Sequence, residues 1–264
     1  SCVPFIACLL IVLNYDKLGL GLQTAMQIAF AITAAWWLVF TIPMLRDVEQ
    51  KHFKPRESGA IAKAIGGIGG TLKEMWSNKA IKFYMIAYFF YIDGVHTIIK
   101  LSTSYGTDLG IDATQLVLAL LVTQFVAFPS AIIYGRLSSK YGTRRMLLIA
   151  IAAYFGITLF AALFLRTATE YWVLAILVGM FQGGIQALSR SHFAKIIPPE
   201  KSGEYFGLFD ICGKGASFLG TMIVSVGSQL TGSANVGVGS IAVLFVIGFV
   251  LFRVSCRTEH AKQV

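Results

Sequence analysis

Residues 113–134 read ATQLVLALLVTQFVAFPSAIIY, an apolar stretch of 22 residues without a charged side chain. As an α-helix that rises about 1.5 Å per residue, it is long enough to cross the roughly 30 Å hydrocarbon core of a bilayer. Seven further apolar stretches occupy residues 1–13, 19–45, 80–99, 146–165, 171–189, 208–230 and 236–254. All but the first are long enough to span. The sequence therefore predicts an all-α, multi-pass membrane protein.

The composition of the 264 residues agrees, because 56% are hydrophobic, 13% are charged and the mean hydropathy is +0.71. These values exclude an ordinary soluble domain. The net charge of +9 does not indicate a nucleic-acid partner, since 18 of the 22 Lys and Arg residues cluster around the linker, two alternate loops and the tail. The positive-inside rule places that face, and with it the C-terminus, in the cytoplasm.

The domain organisation follows from the single long connection, residues 46–79. It separates residues 1–45 from a predicted six-helix bundle at 80–254, with a cytoplasmic tail at 255–264. Two spans followed by six are the remainder expected of a six-plus-six transporter that lacks its first helices, so we expect missing N-terminal helices to complete the protein. Ile61, Ile65, Ile68, Leu72 and Trp76 predict an interfacial amphipathic helix in the linker. A flexible tether is the alternative, because GGIGG at 66–70 weakens a helix.

The connection after the fourth span reads GRLSSKYGTRR at 135–145. It resembles the major facilitator loop signature, whose elements here are Gly135, Arg136, Lys140, Gly142, Arg144 and Arg145. We expect Gly142 to permit a tight reversal and the cations to lie near a helix C-terminus. Ser139 stands where the signature has an aspartate, which argues against a charge relay there, and topology anchoring explains the basic residues equally well.

A finer resemblance involves YIDGVHTIIK at 91–100, TSYGT at 103–107, GGIQALSRS at 183–191 and EYFG at 204–207. These segments are similar to the vacuole-effluxer-like branch of the major facilitator superfamily. The resemblance implies a major facilitator helical bundle and a secondary transporter whose relatives resemble fungal vacuolar amino-acid exporters. It implies a vacuolar-type membrane in a fungus or the cytoplasmic membrane in a bacterium. It also implies that the third, fourth, sixth and seventh spans border a central cavity.

The third span carries Asp93, His96, Thr97 and Lys100 on one helical face. An ionisable side chain in mid-bilayer costs at least about 2.5 kcal/mol, so Asp93 is expected to face protein or water and to be functional. We expect Gly94 to loosen the helix beside it. One hypothesis makes Asp93 the proton-coupling residue with His96 modulating it; the alternative is that Asp93 pairs with Lys or His to lock helices together.

The seventh and sixth spans carry two further polar faces. In the seventh, Asp210, Lys214, Ser217, Thr221, Ser225 and Ser228 predict one stripe along an aqueous path, although hydroxyl residues also pack helices. Lys214 is expected to pair with Asp210 or with a substrate carboxylate. In the sixth, Gln182 and Gln186 are candidate ligands for a polar solute and Arg190 for a carboxylate. Nearby, Gly183 and Gly184 let a helix or a ligand approach closely.

The function expected is secondary transport of a small polar solute, with amino acids and a coupling proton as candidates, in the lipid bilayer. The alternative is a non-transporting subunit, an ATPase-associated subunit or a lipid-handling protein. The sequence contains no GxxxxGK[ST] loop, so an ATPase would have to be another chain. No HExxH or GxSxG motif indicates an enzyme, and the four cysteines have no metal-site spacing. We expect no cofactor and no metal.

Overall fold

The computed structural model describes residues 2–48, 60–108 and 110–263, which are almost entirely α-helical and contain no β-strand in those ranges. The chain divides into two compact units, Ser1–Glu57 and Ser58–Val264. The prediction of an all-α membrane protein is thereby confirmed.

The first unit consists of α1 (Cys2–Leu13) and α2 (Leu22–Asp47). At 12 residues α1 is too short to span, whereas the 26 residues of α2 are long and apolar enough. The Cys8 thiol donates to the Ala29 carbonyl at 3.4 Å and thereby connects the two helices. Large apolar side chains of α2, such as Trp37 and Leu45, are more than two-thirds exposed, as expected of a surface that faces lipid.

The second unit begins with α3 (Ala60–Ser77), so the predicted linker helix exists and runs through the GGIGG segment. Thr71 and Met75 are buried, while Ile68, Leu72 and Trp76 are about half exposed, which fits an apolar face turned toward the membrane interface. Several linker residues lie outside the described residues or have undescribed side chains: Lys51, Lys54, Arg56, Ile61, Lys63 and Ile65.

The six spans predicted for the second unit are present as helices, two of them in two pieces. They are α4 (Lys79–Asp108), α5 (Ala113–Tyr141), α6 (Thr143–Phe164), α7 (Ala168–Ile196), α8 (Ser202–Gly215) with α9 (Phe218–Thr231), and α10 (Ala234–Ser240) with α11 (Ala242–Gln263). In the described chain six segments are long and apolar enough to cross a membrane, namely α2, α5, α6, α7, 199–231 and 234–259. The 30-residue α4 is not among them, because its polar face lowers its hydropathy.

The segment 255–264, predicted as a tail, is helical as far as Gln263, since α11 continues to that residue. Two expectations about these helices were wrong. The seventh and eighth spans are interrupted, the seventh at residues 216–217 and the eighth at Ile241. The loop motif is mostly helical, because α5 continues to Tyr141 and leaves Gly142 alone as the connection to α6.

Both ends of α5 are determined by single residues. At its start Asp112 is the N-cap and accepts from the Thr114 amide at 2.8 Å. Hydrogen bonds from the Thr114 hydroxyl and amide lower the pKa of this exposed carboxyl below its ordinary value. At its end Gly142 has a φ of +89°, a conformation that favours glycine, so the predicted tight reversal is confirmed.

Close packing of helices explains three of the glycines noted in the sequence, Gly94, Gly183 and Gly184. In the pair α5 and α7, a Cβ at Gly183 would lie 2.5 Å from the Ala127 carbonyl oxygen, so this glycine serves the helix contact rather than a ligand. A Cβ at Gly94 would lie 2.7 Å from the Phe245 ring of α11. The expectation that Gly94 loosens its helix was wrong, since α4 is continuous there.

Candidate functional site

A cavity of about 470 Å³ lies between α4, α7, α8 and the α8–α9 junction. Six of the eight predicted site residues line it: His96, Lys100, Gln186, Arg190, Asp210 and Lys214. The structure thus brings together polar residues from α4, α7 and α8. The fourth predicted span, α5, contributes no residue to this lining, contrary to expectation.

Asp93 lies behind the cavity wall rather than in it. Its side chain is fully buried on α4, and its carboxylate accepts hydrogen bonds from two backbone amides of the interrupted seventh span. The Ser217 nitrogen lies 2.7 Å from Oδ1, and the Gly220 nitrogen lies 3.0 Å from Oδ1 and 3.1 Å from Oδ2. Asp93 therefore supplies the cap for the N-terminus of α9 from a different helix.

Capping by a side chain of another helix explains how the seventh span tolerates its interruption. The first amides of a helix have no intrahelical partner, and leaving them unpaired in a bilayer is costly. The N-cap residue Ser217 has a φ of +96°, the one positive φ at a non-glycine residue in the described chain, and its own side chain makes no capping bond. The Asp93 carboxylate pairs with these amides instead, and its charge is favourable at the positive end of a helix dipole.

Neighbouring side chains of α4 bind the same junction. The Thr97 hydroxyl donates to Asp93 Oδ1 at 3.2 Å, and the Lys100 ammonium donates to the Ser217 hydroxyl at 2.8 Å. Gly220 permits this approach, because a Cβ there would lie 2.8 Å from Asp93 Oδ1. The predicted polar face of α4 is thus confirmed as one surface, and it is directed at the break between α8 and α9.

The expected pair of Asp210 with Lys214 was wrong. Asp210 forms an ion pair with Arg190 of α7, and the Arg190 guanidinium also lies 6.0 Å from the centre of the Phe209 ring. Both members of the ion pair are about half exposed in the cavity, so the pair itself adds little stability. Lys214 is exposed in the same cavity and forms no ion pair with any described residue.

The continuous stripe predicted for the seventh span is also wrong. The change of backbone direction at Ser217 separates Asp210 and Lys214 of α8 from Thr221 and the serines of α9, so they do not share one helical face. The Thr221 hydroxyl donates to the Ser217 carbonyl at 2.8 Å, within its own segment. The residues of α8 line the cavity, and those of α9 after Ser217 do not.

Gln182 lies apart from the other candidates. It lines a pocket of about 30 Å³ with Ile98, Ser102, Thr123 and Tyr171. Its Oε1 is buried and has no hydrogen-bond partner in the described ranges. The residue is two helical turns from Arg190, which places it on a different level of α7. The two glutamines therefore line different cavities in this structure.

Sequence reasoning missed a group of tyrosines on α4. Tyr88 lines the cavity and stacks on Phe209, with 3.9 Å between ring centres. The Tyr84 hydroxyl donates to the Ser189 carbonyl at 2.7 Å, and the Tyr91 hydroxyl lies 2.7 Å from the Ser189 hydroxyl. The spacing of the three tyrosines, i, i+4 and i+7, would have identified this face of the helix.

The loop motif lies outside the cavity. Arg144 forms an ion pair with Glu259 of α11, while the Ser139 hydroxyl donates to the Gly135 carbonyl of its own helix at 3.3 Å. The Lys140 ammonium lies 5.4 Å from the Tyr141 ring centre. The motif thus ties the α5–α6 connection to α11 through Arg144. In the described part of the chain no cluster of three or more His, Cys, Asp and Glu side chains could hold a metal ion.

Comparisons with known proteins agree with this architecture. A family described as "Vacuole effluxer Atg22 like" matches residues 2–263. The chain is 43% identical over 253 residues to the "Uncharacterized MFS-type transporter YxiO" of Bacillus subtilis, covering 95% of this chain and 59% of that protein. It is 28% identical to "Autophagy-related protein 22" of Cryptococcus neoformans over 277 residues, 97% of this chain and 48% of the relative. It is 25% identical over 272 residues to the protein of the same name from Kluyveromyces lactis, and the match covers 95% of this chain and 52% of that relative.

The chain spans about half the length of the curated relatives that it matches. The match to the family nevertheless extends over both units and all the helices described above. That family comprises transporters and effluxers of the major facilitator type and is not a class of enzymes. The chain belongs to the vacuole effluxer Atg22-like family of major facilitator proteins.

Proposed function

We propose that the chain forms part of a secondary transporter that moves a small polar solute, with amino acids as the first candidates, by alternating access. The observation that carries the proposal is the cavity lined by six of the predicted polar residues, with a buried carboxylate capping an interrupted helix directly behind it. Polar side chains in a bilayer-spanning bundle are costly unless they face a wet interior, and such groups mark solute and ion pathways.

The charges of the cavity favour a solute with a carboxylate. Lys100, Arg190 and Lys214 line it with one acidic side chain, Asp210, which is engaged by Arg190. Lys100 and Lys214 both lack an ion pair to a described residue, but Lys100 donates to the Ser217 hydroxyl. Lys214 is therefore the position at which a substrate carboxylate would be stabilised most. Gln186 can donate and accept hydrogen bonds beside it. A volume of about 470 Å³ lies within the range usual for small-molecule sites.

Asp93 is our candidate for coupling to protons. As a carboxylate it stabilises the start of α9 through two amide bonds, and protonation removes the charge that makes those bonds strong. A protonated Asp93 would therefore release the junction at residues 216–217, where α8 can change its angle to α9. The Lys, Arg, His and Asp side chains that line the cavity beside this junction are His96 and Lys100 on α4, Arg190 on α7, and Asp210 and Lys214 on α8.

The rest of the transport pathway would come from N-terminal helices of the same protein, as in six-plus-six transporters. The excess of Lys and Arg on alternate loops supports a cytoplasmic C-terminus. The membrane would be the cytoplasmic membrane in a bacterium and a vacuolar-type membrane in a fungus.

The test is solute counterflow with the full-length protein in proteoliposomes preloaded with single unlabelled amino acids. We expect accelerated uptake of at least one labelled amino acid without ATP, and loss of that acceleration in Lys214→Gln. Lys140→Gln, which changes an exposed lysine outside the cavity, is the matched control. Uptake that requires ATP and a partner ATPase would instead support an ATPase-associated subunit, and absence of counterflow for every amino acid would remove them as substrates.

A further inference from the structure

A second cavity, of about 800 Å³, lies at the end of the bundle that carries the loop motif. Its walls come from the start of α4, the α5–α6 connection, the last turns of α7 and the last turns of α11. The residues that matter for its chemistry are Tyr141, Arg144, Arg145, His192, Lys195 and Glu259. None of them lines the cavity described above, so the two sites are separate.

The second cavity has an excess of positive charge. Three cations, Arg144, Arg145 and Lys195, line it with a single carboxylate, Glu259. Glu259 is engaged by Arg144, and the Lys195 ammonium donates to the neutral Thr143 hydroxyl at 2.8 Å. The exposed Arg145 forms no ion pair with a described residue. The charge of Lys195 and that of Arg145 are therefore not balanced by an acid in this cavity.

A buried imidazole lies in the wall of the same space. His192 lines the cavity and is only 2% exposed, held between the rings of Tyr84 and Phe252. Its Nε2 has no hydrogen-bond partner in the described chain, and the nearest carboxylate oxygen, Glu259 Oε1, is 3.6 Å away. Buried nitrogen atoms of this kind almost always have a partner, so His192 is a polar group of the cavity wall whose hydrogen bonding is incomplete.

The start of α6 adds backbone donors. The N-cap of this 22-residue helix is Gly142, which has no side chain to pair with the first amides, and residues 143–145 line the cavity. Uncapped helix N-termini favour anions, because their amides are free and the helix dipole is positive there. Cations, a buried imidazole and free amides around one space are the combination that binds a phosphate group.

We infer that this cavity binds a phosphate-bearing anion, either the headgroup of an anionic phospholipid or a free phosphate. The two sources share the recognised chemistry, which is a tetrahedral group with several acceptor oxygens. The charge distribution of the sequence predicts that this end of the bundle is cytoplasmic, where anionic lipids are concentrated and basic pockets between helices recruit them. The inference is independent of what the protein transports.

The experiment measures binding to the full-length, delipidated protein in detergent, by native mass spectrometry and by thermal unfolding. The probes are phosphatidylglycerol, the zwitterionic phosphatidylcholine and inorganic phosphate. The test variant is Arg145→Gln with Lys195→Gln. The matched control is Arg136→Gln with Lys140→Gln, which removes two exposed cations of the same region that do not line the cavity.

We expect the dissociation constant of phosphatidylglycerol to rise by at least about tenfold in the test variant, and by less than about twofold in the control. If only inorganic phosphate stabilises the protein against thermal unfolding, and the variants change that effect in the same way, the site is supported and is assigned to free phosphate. Equal losses in both variants, equal binding of phosphatidylcholine, or no binding of either anion would overturn the inference. Should the test variant fail to fold, Arg145→Gln alone is used, with at least about a threefold loss expected.

Discussion

The cap that Asp93 provides for α9 can be tested by the substitution Asp93→Asn. Asparagine has the same shape, but it is uncharged and presents one oxygen where the carboxylate has two. The Gly220 amide nitrogen lies 3.0 Å and 3.1 Å from the two carboxylate oxygens. In the variant one of these oxygens is replaced by the NH₂ group of asparagine, which is a donor and cannot accept from the Gly220 amide. Hydrogen bonds to charged groups contribute about 1.5–3 kcal/mol and neutral ones about 0.5–1.5 kcal/mol, so the cap should lose about 2 kcal/mol.

The assay is hydrogen–deuterium exchange of the full-length protein, followed by mass spectrometry of peptides that cover residues 217–221. A loss of about 2 kcal/mol in local stability accelerates exchange about 30-fold if local opening exposes these amides. Peptides from α6 should exchange as in the wild type. Asp112→Asn is the matched control, because asparagine caps helices as well as aspartate does. Unchanged exchange at residues 217–221 would refute the cap, whereas faster exchange everywhere would indicate general destabilisation.

Three further substitutions follow from the same structure. Lys214→Gln should weaken binding of a carboxylate solute about tenfold without lowering the midpoint of thermal unfolding, and Lys140→Gln should change neither quantity. Binding is measured by scintillation proximity assay. Gly183→Ala places a methyl group 2.5 Å from a backbone oxygen of α5, so it should destabilise the protein by about 1–3 kcal/mol and lower the midpoint of thermal unfolding by several degrees. Gly156→Ala, whose methyl group meets open space, should leave the midpoint unchanged. Gly220→Ala should displace the capping carboxylate and reproduce the local exchange of the Asp93 variant; wild-type protection there would show that the junction adapts.

Much of the architecture could be predicted from the hydropathy and charge of the sequence. The long apolar stretches predicted the spans, often to within a few residues, because a bilayer leaves little alternative to a helix. The interruption of the seventh span was not readable, since its unpaired amides are satisfied by Asp93, which is more than 120 residues away in sequence. The glycines at 213, 215 and 220 are the local signal of that interruption in the sequence.

The sequence predicted which residues line the candidate site better than it predicted which of them pair with each other. Helical spacing correctly grouped His96 with Lys100, because residues four apart share a face. The same rule wrongly paired Asp210 with Lys214, since it ignores neighbours on other helices, and Arg190 of α7 takes that position. Gln182 lies outside that cavity, because the level along a helix at which a cavity ends is determined by tertiary packing.

The central claim is that the buried carboxylate behind the cavity links protonation to transport. The most direct measurement compares wild type and Asp93→Asn in proteoliposomes, once a counterflow substrate is known. We expect the wild type to accumulate that solute against its gradient when a pH gradient is imposed. The variant should retain counterflow without accumulating solute, at any external pH. Accumulation by the variant equal to that of the wild type, with the same pH profile, would contradict the account.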